Sequence, residues 1–146
     1  DHGKYAVELF LQGYNCAQAV AVAFCDVTGL DEKTAARMAS SFGGGMGRMR
    51  EVCGAVSGML LVYGLLHGYD VPGDDISKKN QYARIQAMAE AFREQAGSII
   101  CREILKNPPS DPNPTPRSED FYKGRPCAGM VHLAARILEE ELKGAV

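Results

Sequence analysis

Hydrophobic residues recur at helical spacing along most of this 146-residue chain, and no segment alternates between hydrophobic and polar residues as a β-strand does. The pattern therefore predicts an all-α fold. Helices are predicted over residues 4–12, 16–27, 32–42, 48–67, 75–96, 99–106 and 126–142. We expect them to form a single-domain helical bundle of about six helices over residues 1–146.

Residues 48–67 are apolar on most faces of the predicted helix, which is typical of a helix at the centre of a bundle. Glycine, alanine and serine are frequent within it. These small residues lower its intrinsic helix propensity, but they allow neighbouring helices to approach closely. We therefore predict a central helix whose stability comes from packing.

Residues 43–58 read GGGMGRMREVCGAVSG, and such a density of glycine is found in phosphate-binding loops as well as in tight turns. The dinucleotide pattern G-x-G-x-x-G, started at Gly43 or Gly45, requires glycine at positions that hold Arg48 or Arg50. No lysine follows in the P-loop pattern either. We predict that residues 43–47 are a turn between two helices and do not bind phosphate.

Residues 107–125 are too rich in proline to be helical. They predict a long loop, which serves either as a lid over a site or as a solvated connection. The last helix begins at Pro126, because proline is favoured at the first position of a helix.

Composition and charge exclude several classes of protein. The chain is 46% hydrophobic and 23% charged, as ordinary globular domains are, and it is long enough to form a core without disulfides. A net charge of −2 with scattered basic residues argues against nucleic-acid binding. The longest apolar stretch, residues 55–66, is too short to span a membrane.

The five cysteines are odd in number and lack a tight pairwise pattern, unlike the disulfide framework of a small secreted protein. They predict intracellular thiol or metal chemistry, and we infer a cytoplasmic location from this usage. The chain begins at Asp1 without an initiator Met, so trimming of an N-terminal segment stays open. The oligomeric state is also open.

Four of the five cysteines are predicted at or near helix starts: Cys16, Cys53, Cys101 and Cys127. Free backbone N–H groups and the positive end of the helix dipole favour the thiolate there, which is the nucleophilic and metal-binding form. The alternative for any one of them is a small, buried hydrophobic residue. Cys25 lies on the opposite side of the helix predicted over residues 16–27, so we expect it to be a core or surface residue.

The sequence resembles the C_GCAxxG_C_C family of redox-active proteins. The resemblance is carried by GYNCAQAV at 13–20, FGGGMGRMREVCGAVSG at 42–58, CREIL at 101–105 and RPCAG at 125–129. The hexapeptide CGAxxG, residues 53–58, is its most specific single motif. The resemblance implies that the same four cysteines carry thiol or metal chemistry, and it has no counterpart for Cys25.

The first hypothesis is a thiol-based redox protein, either an oxidoreductase or an electron carrier, in which one cysteine attacks and a second resolves. Four cysteines allow three pairings, and the sequence does not choose among them. We favour Cys53 as a participant because the adjacent glycines permit close approach of a partner. That partner is an unidentified redox protein or a small-molecule substrate. Arg48 or Arg50 would favour a thiolate and Glu51 would oppose it, unless these charges simply lie at the surface.

The second hypothesis is a metal ion or iron–sulfur cluster held by the thiolates of the four cysteines. The cysteines are separated by 37, 48 and 26 positions, without a C-x2-C pair, so four separate helices would have to converge. The third hypothesis is a nonenzymatic module that binds a small ligand or partner under the proline-rich loop. In that case the cysteines are structural, and Cys53→Ser and Cys101→Ser leave binding unchanged.

Overall fold

Capping residues start several of the helices. Asn15 and Gln18 form a complete capping box, in which each side chain bonds to the other residue's backbone N–H at 2.9 and 3.0 Å. Asp31 accepts a hydrogen bond from the backbone N–H of Thr34 at 3.1 Å. Both caps are predictable from the sequence, and both helices begin where their caps place them.

A computed structural model describes residues 1–144, and within this range the chain forms nine α-helices and no named strand. The helices are α1 (His2–Leu11), α2 (Cys16–Ala23), α3 (Cys25–Thr28), α4 (Glu32–Ala39), α5 (Gly54–His67), α6 (Asp75–Ala96), α7 (Cys101–Ile104), α8 (Glu119–Gly124) and α9 (Cys127–Gly144). A 3-10 turn, Ser40–Phe42, follows α4. The predicted all-α fold is confirmed, and α3, α7 and α8 are short additions to the six longer helices.

The short helix α2 lies at the centre of the bundle, where it packs against α1, α4, α5 and α9. Six of its eight residues are buried, because alanine and valine fill most of its positions. The predicted central helix, α5, packs in turn against α2, α6 and α9. The core therefore has two central helices.

The glycines of the CGAxxG hexapeptide fall where α5 crosses α2. A Cβ atom on Gly54 would lie 2.9 Å from the carbonyl oxygen of Phe42, and one on Gly58 would lie 2.6 Å from the carbonyl oxygen of Ala17. Real Cβ atoms essentially never approach backbone that closely. Glycine at position 58 allows α5 to approach α2 this closely, and glycine at position 54 allows the start of α5 to lie against the 3-10 turn and the first residues of α2.

Two predicted helix starts are wrong. The helix predicted over residues 48–67 begins only at Gly54, because residues 43–50 form a longer turn than the glycines alone predict. The segment predicted over residues 99–106 is helical only at Cys101–Ile104. Ser98 caps a backbone turn instead, since its hydroxyl accepts a hydrogen bond from the N–H of Ile100 at 2.9 Å.

Two further predictions are corrected inside longer segments. The helix predicted over residues 16–27 breaks at Phe24, so Cys25 starts the separate helix α3. The proline-rich segment 107–125 is not wholly a loop, since it contains α8. That helix forms because Ser118 caps it, accepting a hydrogen bond from the backbone N–H of Phe121 at 3.2 Å.

Across residues 1–144, none of the helices combines the length and the apolar character that crossing a bilayer requires.

Candidate thiol site

One cavity of about 340 Å³ brings together the four cysteines predicted to act together. They are Cys16, Cys53, Cys101 and Cys127. Three are the first residues of α2, α7 and α9, and Cys53 immediately precedes α5. All five cysteines of the chain are free thiols, and Cys25 lies outside this cavity.

Cys53 and Cys101 are held by a short antiparallel bridge between Val52 and Ile100. The backbone N–H of Cys53 donates to the carbonyl of Ile99 at 2.7 Å, and that of Cys101 donates to the carbonyl of Glu51 at 2.6 Å. Both thiols are nearly buried, with 6% and 7% of each residue exposed. The backbone therefore fixes this half of the site.

Cys16 and Cys127 form the other half, and both are partly exposed. The Cys16 thiol lies beside Cys127 and lowers the pKa of Cys127 to about 7 by donating to its thiolate, and nearby arginines add to this effect. The same interaction is the largest cause that raises the pKa of Cys16 well above its usual value, and burial is the second. Near neutral pH a substantial fraction of the pairs therefore carries one negative charge, which is favoured on Cys127, while Cys16 keeps its proton.

Burial governs the other two thiols. It raises the pKa of Cys53 to about 12, against the opposing effect of backbone hydrogen bonds from Ala55 and Val56. It also raises the pKa of Cys101, against the opposing effect of Arg50. Of the four helix starts, only that of Cys127 combines an accessible thiol with a lowered pKa.

The turn over residues 43–50 places two arginines at the cavity. Gly44, Gly45, Met46, Gly47, Arg48 and Arg50 all have positive φ angles, and backbone bonds such as Arg50 N–H to the carbonyl of Gly44, 3.1 Å, close the turn on itself. A Cβ atom on Gly45 would lie 2.7 Å from Cβ of Cys101. This strained backbone brings the turn directly against a cysteine.

Arg50 is buried, with only 4% of the residue exposed. Its Nε donates to the carbonyl of Pro109 at 2.9 Å, and its Nη1 lies 3.7 Å from Sγ of Cys101. Its Nη2 finds no hydrogen-bond partner among the residues that the structure describes. The proposed role of this arginine in favouring a thiolate fits its contact with Cys101, whereas Glu51 is exposed and pairs with Arg102 at 2.5 Å.

Three more arginines line the cavity: Arg48, Arg117 and Arg125. Arg117 donates to the carbonyls of Phe10 and Tyr14, each at 3.0 Å. Arg117 and Arg125 are not among the site residues predicted from the sequence. Arg125 could have been predicted at the site, because it lies in RPCAG, two residues before Cys127. Arg117 could not, because its segment has no periodicity.

The proline-rich segment covers the cavity, with Pro112, Pro114 and Thr115 among the lining residues. Arg48 holds it, because its guanidinium donates to the carbonyl of Asp111 and, at 2.7 Å, to Oγ1 of Thr115. Most of residues 107–120 are nevertheless exposed, so the segment lines the cavity and is solvated at the same time, and both alternatives for it stay open.

Cys25 lies in a separate cleft lined by carboxylates. Asp26 and Glu32 line that cleft, together with Tyr5 and His2. Burial raises the pKa of Cys25, and Glu32, Asp31 and Asp26 raise it further. This environment opposes a thiolate.

No three His, Cys, Asp or Glu side chains within residues 1–144 are arranged to hold a metal ion. The metal hypothesis for Cys16, Cys53, Cys101 and Cys127 stays a prediction that rests on their sharing one cavity.

A family model described as "Putative redox-active protein (C_GCAxxG_C_C)" matches residues 14–141 of the chain. The match spans all four cysteines of the cavity and the CGAxxG hexapeptide. No curated protein and no solved structure matches the chain.

Proposed function

Because the chain belongs to the C_GCAxxG_C_C family, we propose that it is a thiol–disulfide redox protein whose nucleophile is Cys127 and whose resolving cysteine is Cys16. The family description supports a general redox role. The finer proposal is carried by the position of these two half-buried residues in one cavity, where the interaction with Cys16 lowers the pKa of Cys127 to about 7.

The proposed reaction is a two-step exchange with an external disulfide, RSSR′. The Cys127 thiolate attacks one sulfur of the disulfide, so that a bond forms between Cys127 Sγ and that sulfur and R′S⁻ leaves. Cys16 then loses its proton to the leaving thiolate and attacks Sγ of Cys127, which releases RS⁻. Two electrons pass from the cysteine pair to the external disulfide, and a separate dithiol reductant returns the pair to thiols by the reverse exchange.

Cys53 and Cys101 complete the proposed four-cysteine site as a second, more deeply buried dithiol. Their raised pKa values keep both protonated at neutral pH. We therefore assign the first attack to neither of them, although the glycines next to Cys53 in the sequence favour close approach of a partner. Both remain candidates for a later exchange with the Cys16–Cys127 disulfide.

The test is to oxidise the reduced protein with a small uncharged disulfide, alkylate the remaining thiols and map the products by mass spectrometry. We expect a Cys16–Cys127 disulfide in the wild type. In Cys16→Ser we expect a mixed disulfide trapped on Cys127. Cys25→Ser is the matched control and should behave as the wild type does. Oxidation that never pairs Cys16 with Cys127 contradicts the proposal.

The same preparation tests the metal alternative, which rests on the four cysteines lining one cavity, although no three of them within residues 1–144 are arranged to hold a metal ion. Purification without air, followed by metal analysis and an absorption spectrum, is sufficient. Stoichiometric metal or a visible chromophore that is lost in Cys16→Ser, Cys53→Ser, Cys101→Ser and Cys127→Ser would replace the dithiol proposal.

A further inference from the structure

The arginine side of the cavity carries more positive charge than its surroundings neutralise. Arg48 pairs with Asp111 at 3.3 Å, whereas Arg50, Arg117 and Arg125 have no carboxylate partner within residues 1–144. None of the described lining residues is an Asp or a Glu. The Cys127 thiolate supplies one negative charge against these three, so the cavity keeps a positive balance.

Arg50 provides an unused donor in the same place. Two of its three guanidinium nitrogens have partners, Pro109 and Cys101, and the third, Nη2, has none in the part of the chain that is described. A buried N–H group without a hydrogen-bond partner destabilises the folded protein. A ligand oxygen that accepts its hydrogen bond would remove this cost. The free Nη2 can donate a charge-assisted hydrogen bond to one oxygen of an acid group such as a carboxylate.

The remainder of the cavity suits an organic molecule. Phe10, Ile104, Phe121 and Met130 supply apolar surface, and prolines of the covering segment add to it. A volume of about 340 Å³ falls in the range of small-molecule pockets. The cavity therefore fits a small ligand with an apolar body and an acidic group.

We infer that the substrate of this site is a small organic disulfide that carries a carboxylate, and that Arg50 is the residue that selects for its negative charge. This inference rests on the proposed function, since the exchange takes place at Cys127. The carboxylate stays unchanged in the reaction. Its binding holds the disulfide sulfur near Cys127, and the two sulfur exchanges then proceed as described above.

The experiment compares two aromatic disulfides that differ in charge. Dithiobis(nitrobenzoate) carries two carboxylates, and dithiodipyridine is uncharged at neutral pH. The rate of Cys127 modification by each is measured in the full chain carrying Cys25→Ser, by absorbance and by peptide mapping of quenched samples, and the ratio of the anionic to the neutral rate is the readout. A change in thiol pKa alters both rates together, so the ratio isolates recognition of charge.

In Arg50→Gln we expect this ratio to fall by about 10- to 100-fold, the equivalent of one charged hydrogen-bonded contact. Arg136→Gln is the matched control, because Arg136 is exposed on α9 and bonds Gln95 at 3.0 Å. This substitution removes one charge outside the cavity and should change the ratio by less than about twofold from that of the wild type. An unchanged ratio in folded Arg50→Gln overturns the inference.

A competition experiment in the wild type covers the case in which Arg50→Gln does not fold. Benzene dicarboxylate, which does not react with thiols, should protect Cys127 from dithiodipyridine in a saturable manner. Benzenedicarboxamide, its uncharged analogue, should not, and equal protection by the two overturns the inference. If dithiodipyridine fails to modify Cys127 at all, the proposed function fails instead.

Discussion

Cys127 and Cys25 are each the first residue of an α-helix, and they differ in the charges around them. Cys127 starts an eighteen-residue helix beside the Cys16 thiol and three arginines, and the pKa of Cys127 is lowered to about 7. Cys25 starts a four-residue helix beside three carboxylates, and its pKa is raised. A helix start alone does not make a reactive thiol. The hydrogen bond from Cys16 decides for Cys127, and burial, followed by the carboxylates, decides for Cys25.

The largest expected effect is a separation of the two thiols in a pH titration of alkylation. With uncharged iodoacetamide, the modification rate of Cys127 should reach half its maximum near pH 7, and that of Cys25 only above pH 9. The two proton affinities then differ by about a hundredfold or more. Peptide mapping of each time point measures both residues in one sample. If the two thiols titrated at the same pH, the proposed difference between Cys127 and Cys25 would be wrong.

A second effect concerns stability. The pKa of Cys127 is lower in the folded protein than in the unfolded chain, so between pH 7 and pH 9 the unfolded state binds more protons. The free energy of unfolding of the wild type should therefore rise over this window relative to Cys127→Ser, by on the order of 2 kcal/mol. The gain is lost as the pH falls through 7.

Urea titrations at several pH values measure this difference. Cys25→Ser provides the contrast, because a raised pKa gives no gain between pH 7 and pH 9 and makes the wild type lose stability only above pH 9. A difference between the wild type and Cys127→Ser that does not vary with pH would contradict the assigned thiolate.

A third, smaller effect is expected when one arginine is removed. Arg125→Gln should raise the pKa of Cys127 and slow its alkylation at pH 7 about threefold, because the Cys16 hydrogen bond remains as the main stabilising interaction. Stopped-flow measurement with iodoacetamide gives the rate, and Arg136→Gln is the control for loss of a distant charge. A rate equal to the wild type's would show that Arg125 does not act on Cys127.

The smallest effect is expected on the Cys25 side. Glu32→Gln should speed alkylation of Cys25 by less than about twofold, because burial raises the pKa of Cys25 more than Glu32 does. Cys127 in the same sample serves as the internal reference. A large acceleration would mean that carboxylates, and not burial, govern the Cys25 thiol.

The sequence predicts the helices wherever a cap and a periodic apolar face agree. Asn15 with Gln18 illustrates this, and so does Pro126 before Cys127. The helix prediction fails at residues 48–53. The apolar pattern extends the predicted helix backward through Arg48 and Arg50, whose backbone is left-handed. The turn is stabilised by contacts with Cys101 and Asn15, which are distant in sequence, and periodicity contains no signal for such contacts.

The site was predictable to a similar degree. The positions of the cysteines at helix starts and the family motifs indicate the four residues that share a cavity. Their order of reactivity was not predictable, because it depends on burial and on arginines that reach the cavity from other segments. Cys53 is the clearest example: flanking glycines suggest access, whereas the packing of Gly54 and Gly58 on α2 buries its thiol.

The close crossing of α5 over α2 has a consequence for how accurately the thiols are placed. The two helices meet where Gly54 and Gly58 face the backbone of Ala17, and backbone atoms have no rotamers to adjust. Side-chain contacts elsewhere in the core can relax when a residue is changed. The separation of Cys16 from Cys53 is thus a fixed length of the fold, largely independent of how the rest of the core is packed.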